Sequence, residues 1–166
     1  MIFSCVTWTV FDLDFLTRKT TQFMEREREY NYLHSDITAD IIKASYKVYN
    51  WFGAGMLEKV YENALAIELK IMGYEVKQQN PVDVFYEGGF HVGFYKNDLT
   101  VNELVAVELK AVENIHPRHE LQLVNFLNNT LFEVGLVINF GNEDNLQITR
   151  RVRTNDRKKG RIYPKE

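Results

Sequence analysis

In the stretch "DLTVNELVAVELKAV", Asp98 is followed, after nine intervening residues, by Glu108-Leu109-Lys110, charged residues set in a run of Val, Ala and Leu. A strand running from Leu104 to Lys110 puts Leu104, Ala106, Glu108 and Lys110 on one face and Val105, Val107 and Leu109 on the other. Burying a carboxylate and an ammonium there costs several kcal/mol unless they are paired or bind something. A turn at Asn102-Glu103 would lay the Asp98 segment antiparallel beside this strand, so that two carboxylates and a lysine converge. Such a set suits a hard cation, Mg²⁺ or Mn²⁺, held by one or two carboxylates with waters and substrate phosphate completing the shell. Asp98 and Glu108 are the expected ligands. Lys110 would orient an attacking water or neutralise charge at phosphorus. A structural ion pair between Glu108 and Lys110 is the plainer alternative.

The elements that must position these residues are legible in the periodicities. "SDITADIIKASYKVYNWF" sets Ile37, Ile41, Ala44 or Ser45, and Val48 on one helical stripe, with Ser35 or Asp36 as N-cap. After the "GAG" at Gly53–Gly55, "MLEKVYENALAIELKIMG" predicts a second helix with Leu57, Val60 or Tyr61, Ala64, Ile67 or Glu68, and Ile71 on its stripe, closing at Gly73. "YEVKQQ", "VDVFYEG", "FHVGFYKNDLTV" and "LVAVELKAV" alternate as strands, with a hairpin signal at Gly88-Gly89. "PRHELQLVNFLNNT" returns to helical spacing, "VGLVINFG" reads as a strand buried on both faces, and "LQITRRV" as an edge strand. The order predicts an α/β (α+β mixed) domain with a mixed central sheet flanked by helices.

The chain has 166 residues, 45% of them apolar, enough for one core. Residues 1–23 lack a clean period and are expected to form a poorly structured extension, with Met24 as the natural start. A single domain is expected over 24–152 and a basic tail over 153–166. The net charge of −3 is uneven. Eight basic and two acidic residues from Arg150 onward leave a body of −9. Arg150, Arg151 and Arg153 are candidates for phosphate contacts, with a solvated terminus as the plainer reading. A lone cysteine, Cys5, excludes an internal disulfide and a cysteine-rich zinc site, and no apolar run spans a membrane. With no positively charged leader ahead of Asp12 and Asp14, a cytoplasmic location is expected.

Other chemistries fit poorly. His116 and His119, three apart, could bind zinc on one helix turn, but Pro117 lies between them and no cysteine completes a site. No glycine-rich phosphate loop and no serine nucleophile elbow occurs.

"GMLEKVY" (Gly55 to Tyr61), the Asp98 strand, "VELKAV", "LQLVNFL" and "VGLVINFG", in that order, resemble the GxxExxY proteins of the PD-(D/E)XK nuclease-like superfamily over roughly Asp36 to Arg151. The resemblance implies a restriction-endonuclease-like core and Mg²⁺-dependent hydrolysis of DNA or RNA. It also implies roles by position: Glu58 as a helix carboxylate completing the metal site, Asp98 and Glu108 as ligands, Lys110 beside the water, and Gln122 aimed at the site. "FYKND" stands where arginine-alanine-aspartate is more usual, and "NWFGAG" where leucine-glycine is. Helical spacing lets Glu58 and Tyr61 reach a common point, making Tyr61 a site-lining candidate. Each has a plainer reading: Glu58 as a first-turn carboxylate on the helix dipole, Tyr61 as a core aromatic, and Gln122 as part of a solvated face shared with Arg118, His119, Asn125 and Asn129, opposite Leu121, Val124 and Leu127 or Leu131. Besides a nuclease, the sequence admits a binding module of the same fold with a silent site. It also admits a subunit of a defence or mobile-element assembly whose protein partner, or a second copy, supplies nucleic-acid binding.

Overall fold

A computed structural model of the chain describes residues 18–22, 24 and 33–153. The chain divides into two units, Met1–Leu33 and His34–Glu166. Residues 18–22 of the first are helical. The rest of the expected extension over 1–23, and the tail beyond Arg153, lie outside the described residues. The elements below belong to the second unit.

Helix α1 spans Ser35–Phe52 and buries Ile37, Thr38, Ile41, Ala44, Ser45 and Val48, the expected stripe. Its start differs by a residue from expectation. Ser35 is the first helical residue, and His34, in a left-handed conformation (φ 53°), precedes it without a side-chain cap. Gly53, at φ 68°, ends the helix by donating its N–H to the Tyr49 carbonyl. Helix α2 spans Glu58–Ile71 and buries Tyr61, Glu62, Leu65, Ala66 and Leu69. Of the expected stripe only Tyr61 is buried, and Leu57, Ile67 and Ile71 are exposed. The helix is apolar on two sides, and the inward side is the one whose Glu62 finds partners, Gln78 Nε2 at 2.9 Å and Gln79 Nε2 at 3.0 Å.

Seven strands follow: β1 (Val76–Gln78), β2 (Pro81–Phe85), β3 (His91–Lys96), β4 (Leu99–Val101), β5 (Val105–Lys110), β6 (Val134–Asn139) and β7 (Gln147–Val152), with helix α3 (Pro117–Asn129) between β5 and β6. Five form one sheet in the order β1-β4-β5-β6-β7, in which β5 and β6 are parallel and the other pairs antiparallel. The mixed sheet and the edge position of β7 match the sequence pattern. "FHVGFYKNDLTV" is not one strand, however. It splits at Asn97-Asp98 into β3, which pairs with β2 in a separate two-stranded ribbon, and β4, which enters the main sheet. Fully buried Asn97 makes the corner, donating its amide to Thr100 Oγ1 (3.1 Å) and to the Leu99 carbonyl. The turn at Asn102-Glu103, both at positive φ (51° and 57°), folds β4 onto β5 as expected.

The face of β5 carrying Ala106, Glu108 and Lys110 looks toward α3 and the ribbon. Ala106, Leu123, Phe126, Leu127 and Val137 form one core cluster, and Val82, Tyr95, Ile115 and Phe132 pack against it. The α3 core face is thus Leu123, Phe126 and Leu127. Leu121, expected inside, is exposed, and of the alternatives Leu127 and Leu131 it is Leu127 that is buried. Gly135 of β6 decides this. A Cβ there would stand 2.5 Å from Leu123 Cδ1, so the missing side chain admits Leu123 against the strand. On the other face α2 packs against β1 and β5.

Candidate active site

Asp98 sits where the β4–β5 ladder ends. The last Cα pair on that side is Leu99 with Val107, so the N–H of Leu109 is left to Asp98 Oδ2, which accepts it at 2.7 Å. Asp98 Oδ1 accepts from Gln79 Nε2 at 2.9 Å, and the same amide reaches Glu62 Oε2 at 3.0 Å. The Gln79 N–H also donates to the Asp98 carbonyl at 3.0 Å. Gln79, at φ 51°, and Glu62 therefore hold Asp98 from behind. Neither stood out in the sequence as a site residue, because no spacing links a β1 exit, a helix face and an aspartate.

Glu108 is 4% exposed. Its Oε2 lies 3.7 Å from Lys110 Nζ, confirming that the two share a face, and its buried Oε1 has no hydrogen-bond partner. Burial, reinforced by the negative charge of Asp98 and opposed by Lys110, pushes the Glu108 carboxyl up to about 7. Lys110 Nζ donates to the Leu109 carbonyl at 2.6 Å. Glu58, the first residue of α2, joins this neighbourhood. Burial raises its pKa, Asp98 and Glu62 raise it further, and Lys110 and the Ala111 N–H pull the other way.

Tyr61 stands elsewhere. It is fully buried, stacked on Phe140 at 4.6 Å, and its hydroxyl donates to the Gly53 carbonyl (2.7 Å) and accepts the Met56 N–H (3.0 Å). It does not line the acidic group. It clamps the loop that delivers Glu58, and Gly55, at φ 99°, lets that loop turn. Tyr61→Phe is expected to cost roughly 1–3 kcal/mol, read as a lower urea midpoint, because the Gly53 carbonyl and Met56 N–H lose a partner.

Gln122 is exposed on α3, beside the Tyr95 hydroxyl, and reaches the site only through that neighbour. Tyr95, on β3, faces inward against Phe126 (ring centroids 5.0 Å apart). Burial and then Glu108 raise its pKa, the Gln122 amide lowers it, and its buried hydroxyl, close to both, makes no hydrogen bond of full geometry. In the sequence it read as one more strand aromatic. His116 and His119 do not form a zinc pair: their Nδ1 atoms cap α3, accepting the N–H groups of Arg118 (3.1 Å) and His116 (3.2 Å).

The three arginines do not converge on the carboxylates. Arg151 pairs with Leu123's neighbour across the helix surface, Glu120, which also accepts from Thr149 Oγ1 at 3.1 Å. Arg150 alternates to the opposite face of β7. Arg153 follows the end of β7, its N–H bonded to the Glu133 carbonyl, at the end of the sheet away from Lys110.

The sequence model of the PD-(D/E)XK nuclease superfamily matches residues 35–152, from the first residue of α1 to the last of β7. The chain belongs to this superfamily. Neither the curated proteins nor the solved structures contain a significant match. The five-stranded mixed sheet with flanking helices is the restriction-endonuclease-like architecture that the sequence led us to expect. PD-(D/E)XK nucleases typically use divalent metals and act on nucleic acids. No helix among the described residues is long and apolar enough to cross a membrane.

The donor set fits such an ion. Lys110 faces the carboxylates of Glu108 and Glu58, each of which also feels the charge of Asp98, and a buried carboxylate oxygen of Glu108 makes no hydrogen bond of full geometry. Among the described residues no three His, Cys, Asp or Glu side chains stand close enough together to hold an ion by themselves. What this PD-(D/E)XK site offers is the Asp98–Glu108 pair with Glu58 alongside, the ligand count of a cation that keeps its waters and takes substrate phosphate.

Proposed function

We propose that the protein is a divalent-metal-dependent nuclease, with Mg²⁺ as the ion and Mn²⁺ as a substitute, hydrolysing phosphodiester bonds of DNA or RNA. The observation that carries this reading is the buried, unpartnered Oε1 of Glu108 beside Asp98 and Lys110. Asp98 and Glu108 would hold the ion, with Glu58 as an outer or third ligand. The ion would supply charge neutralisation at phosphorus and a more acidic water. Lys110 holds its ammonium at the same point, where it can orient the attacking water and stabilise charge developing in line. Gln122 positions from the α3 side. Gly55, Glu58 and Tyr61, which join in one loop-and-helix unit, support placement with the GxxExxY group.

One observation favours a second reading for substrate binding. Among the described residues Arg150, Arg151 and Arg153 form no cationic track toward Glu108, which favours a groove supplied by a partner subunit or second copy. End-labelled single- and double-stranded DNA and RNA, incubated with Mg²⁺, Mn²⁺ or EDTA, test both. Cleavage with metal and none with EDTA is expected. Metal-independent cleavage overturns the metal reading, and no cleavage of any substrate by the isolated chain, in conditions where it binds the ion, favours the partner reading.

A further inference from the structure

Two buried side-chain polar atoms have no hydrogen-bond partner among the described residues: Glu108 Oε1 and Tyr95 Oη. They belong to the same corner. Tyr95 packs on the cluster that contains Ala106, two residues before Glu108 on the same face of β5, and its ring lies 5.0 Å from that of Phe126. Its hydroxyl lies close enough to Glu108 and to the Gln122 amide for each to act on it as a hydrogen-bond partner, yet neither contact closes with full hydrogen-bond geometry. A carboxylate only accepts, and a phenol has one O–H to donate, so with the site empty the two groups face each other as donor and acceptor. A cation that takes the free lone pairs of Glu108 Oε1 removes that acceptor. The phenol O–H is then left to donate to an oxygen beside the cation, from water or a phosphate.

We propose that Tyr95 is a catalytic residue of this site, its hydroxyl donating a hydrogen bond to the oxygen that occupies the gap beside Glu108, from either the attacking water or the scissile phosphate. The inference rests on the nuclease reading above. It gives the separate β2–β3 ribbon a role, because the ribbon brings Tyr95 over β5 immediately before the chain turns into Asp98. It also gives Gln122 one, as the neighbour that keeps the phenol turned toward the gap.

The test uses the full chain as wild type and as Tyr95→Phe, with three readouts: the Mn²⁺ isotherm, binding of a cleavable oligonucleotide with Ca²⁺ in place of Mg²⁺, and kcat and KM with Mg²⁺. Tyr95→Phe should keep its melting temperature, since the hydroxyl it loses makes no hydrogen bond of full geometry. It should bind Mn²⁺ within twofold of wild type and lose about 10- to 100-fold in kcat. Unchanged KM and oligonucleotide affinity assign the acceptor to the attacking water. Weakening of both assigns it to the phosphate. The proposal is overturned by a kcat within twofold of wild type. It is equally overturned by a fall in Mn²⁺ affinity that matches the loss of rate, which would make Tyr95 a support for Glu108. If wild type itself neither binds Mn²⁺ nor cleaves, the nuclease reading fails on that arm alone and takes Tyr95 with it.

Discussion

Glu108→Gln is expected to abolish cleavage, with a loss of at least about 10³-fold in kcat, while the protein stays folded. The amide is the informative replacement here. Glu108 Oε1 makes no hydrogen bond of full geometry, so Gln breaks none there while it removes the charge an ion needs, along with the ion pair to Lys110. Asp98 does not allow so clean an exchange. Its Oδ2 accepts the Leu109 N–H and its Oδ1 the Gln79 amide, so Asn keeps the first bond at best and Ala leaves a ladder donor unpaired. Asp98→Ala should therefore lose both activity and about 1–3 kcal/mol of stability. Single-turnover cleavage alongside urea melts separates the two. Full activity in folded Glu108→Gln would mean that the carboxylates have been assigned to the wrong chemistry.

The largest expected effect on stability follows from the same buried carboxyl. With its folded pKa at about 7 against an ordinary 4.5, Glu108 keeps its proton in the folded protein across a range where the unfolded chain has lost it. The folded state then binds more protons, so stability in metal-free buffer falls as pH rises from about 4.5 through 7. At about 1.4 kcal/mol per pH unit the whole difference amounts to roughly 3 kcal/mol. Glu58, raised by burial, adds a decline of the same sign, and His119, lowered by burial and Lys110, adds one of opposite sign near its ordinary 6.5. The difference between wild-type and Glu108→Gln melting curves isolates the Glu108 contribution. Glu108→Gln is expected to be the more stable at pH 8 without metal, and Mg²⁺ is expected to reverse that order by binding wild type alone. Parallel pH profiles for the two proteins would show that Glu108 is not strained.

Local patterns made much of this fold legible. Alternation along β5 put Glu108 and Lys110 on one face, and positive-φ residues at Asn102-Glu103 closed the turn that brings the Asp98 segment alongside. Both rest on neighbours in sequence. The helix faces were harder. In α2 and α3, apolar residues lie on two sides, and the inward side was decided by distant groups: by Gln78 and Gln79 for Glu62, and by the missing side chain of Gly135 for Leu123. Tyr61 shows the same limit. Helical spacing placed it beside Glu58, but only the fold turns its hydroxyl back to Gly53 and Met56. Gln79 and Tyr95 were illegible because they enter the site through a left-handed corner and a ribbon detached from the main sheet, and neither leaves a spacing to read.

Isothermal calorimetry of Mg²⁺ and Mn²⁺ with wild type and with an Asp98→Ala, Glu108→Ala double variant, both verified as folded, addresses the metal site directly. Saturable binding to wild type that the double variant loses is the expected result. Wild type that binds neither ion, even with an oligonucleotide present to supply phosphate oxygens, would contradict it and make this PD-(D/E)XK fold a binding module.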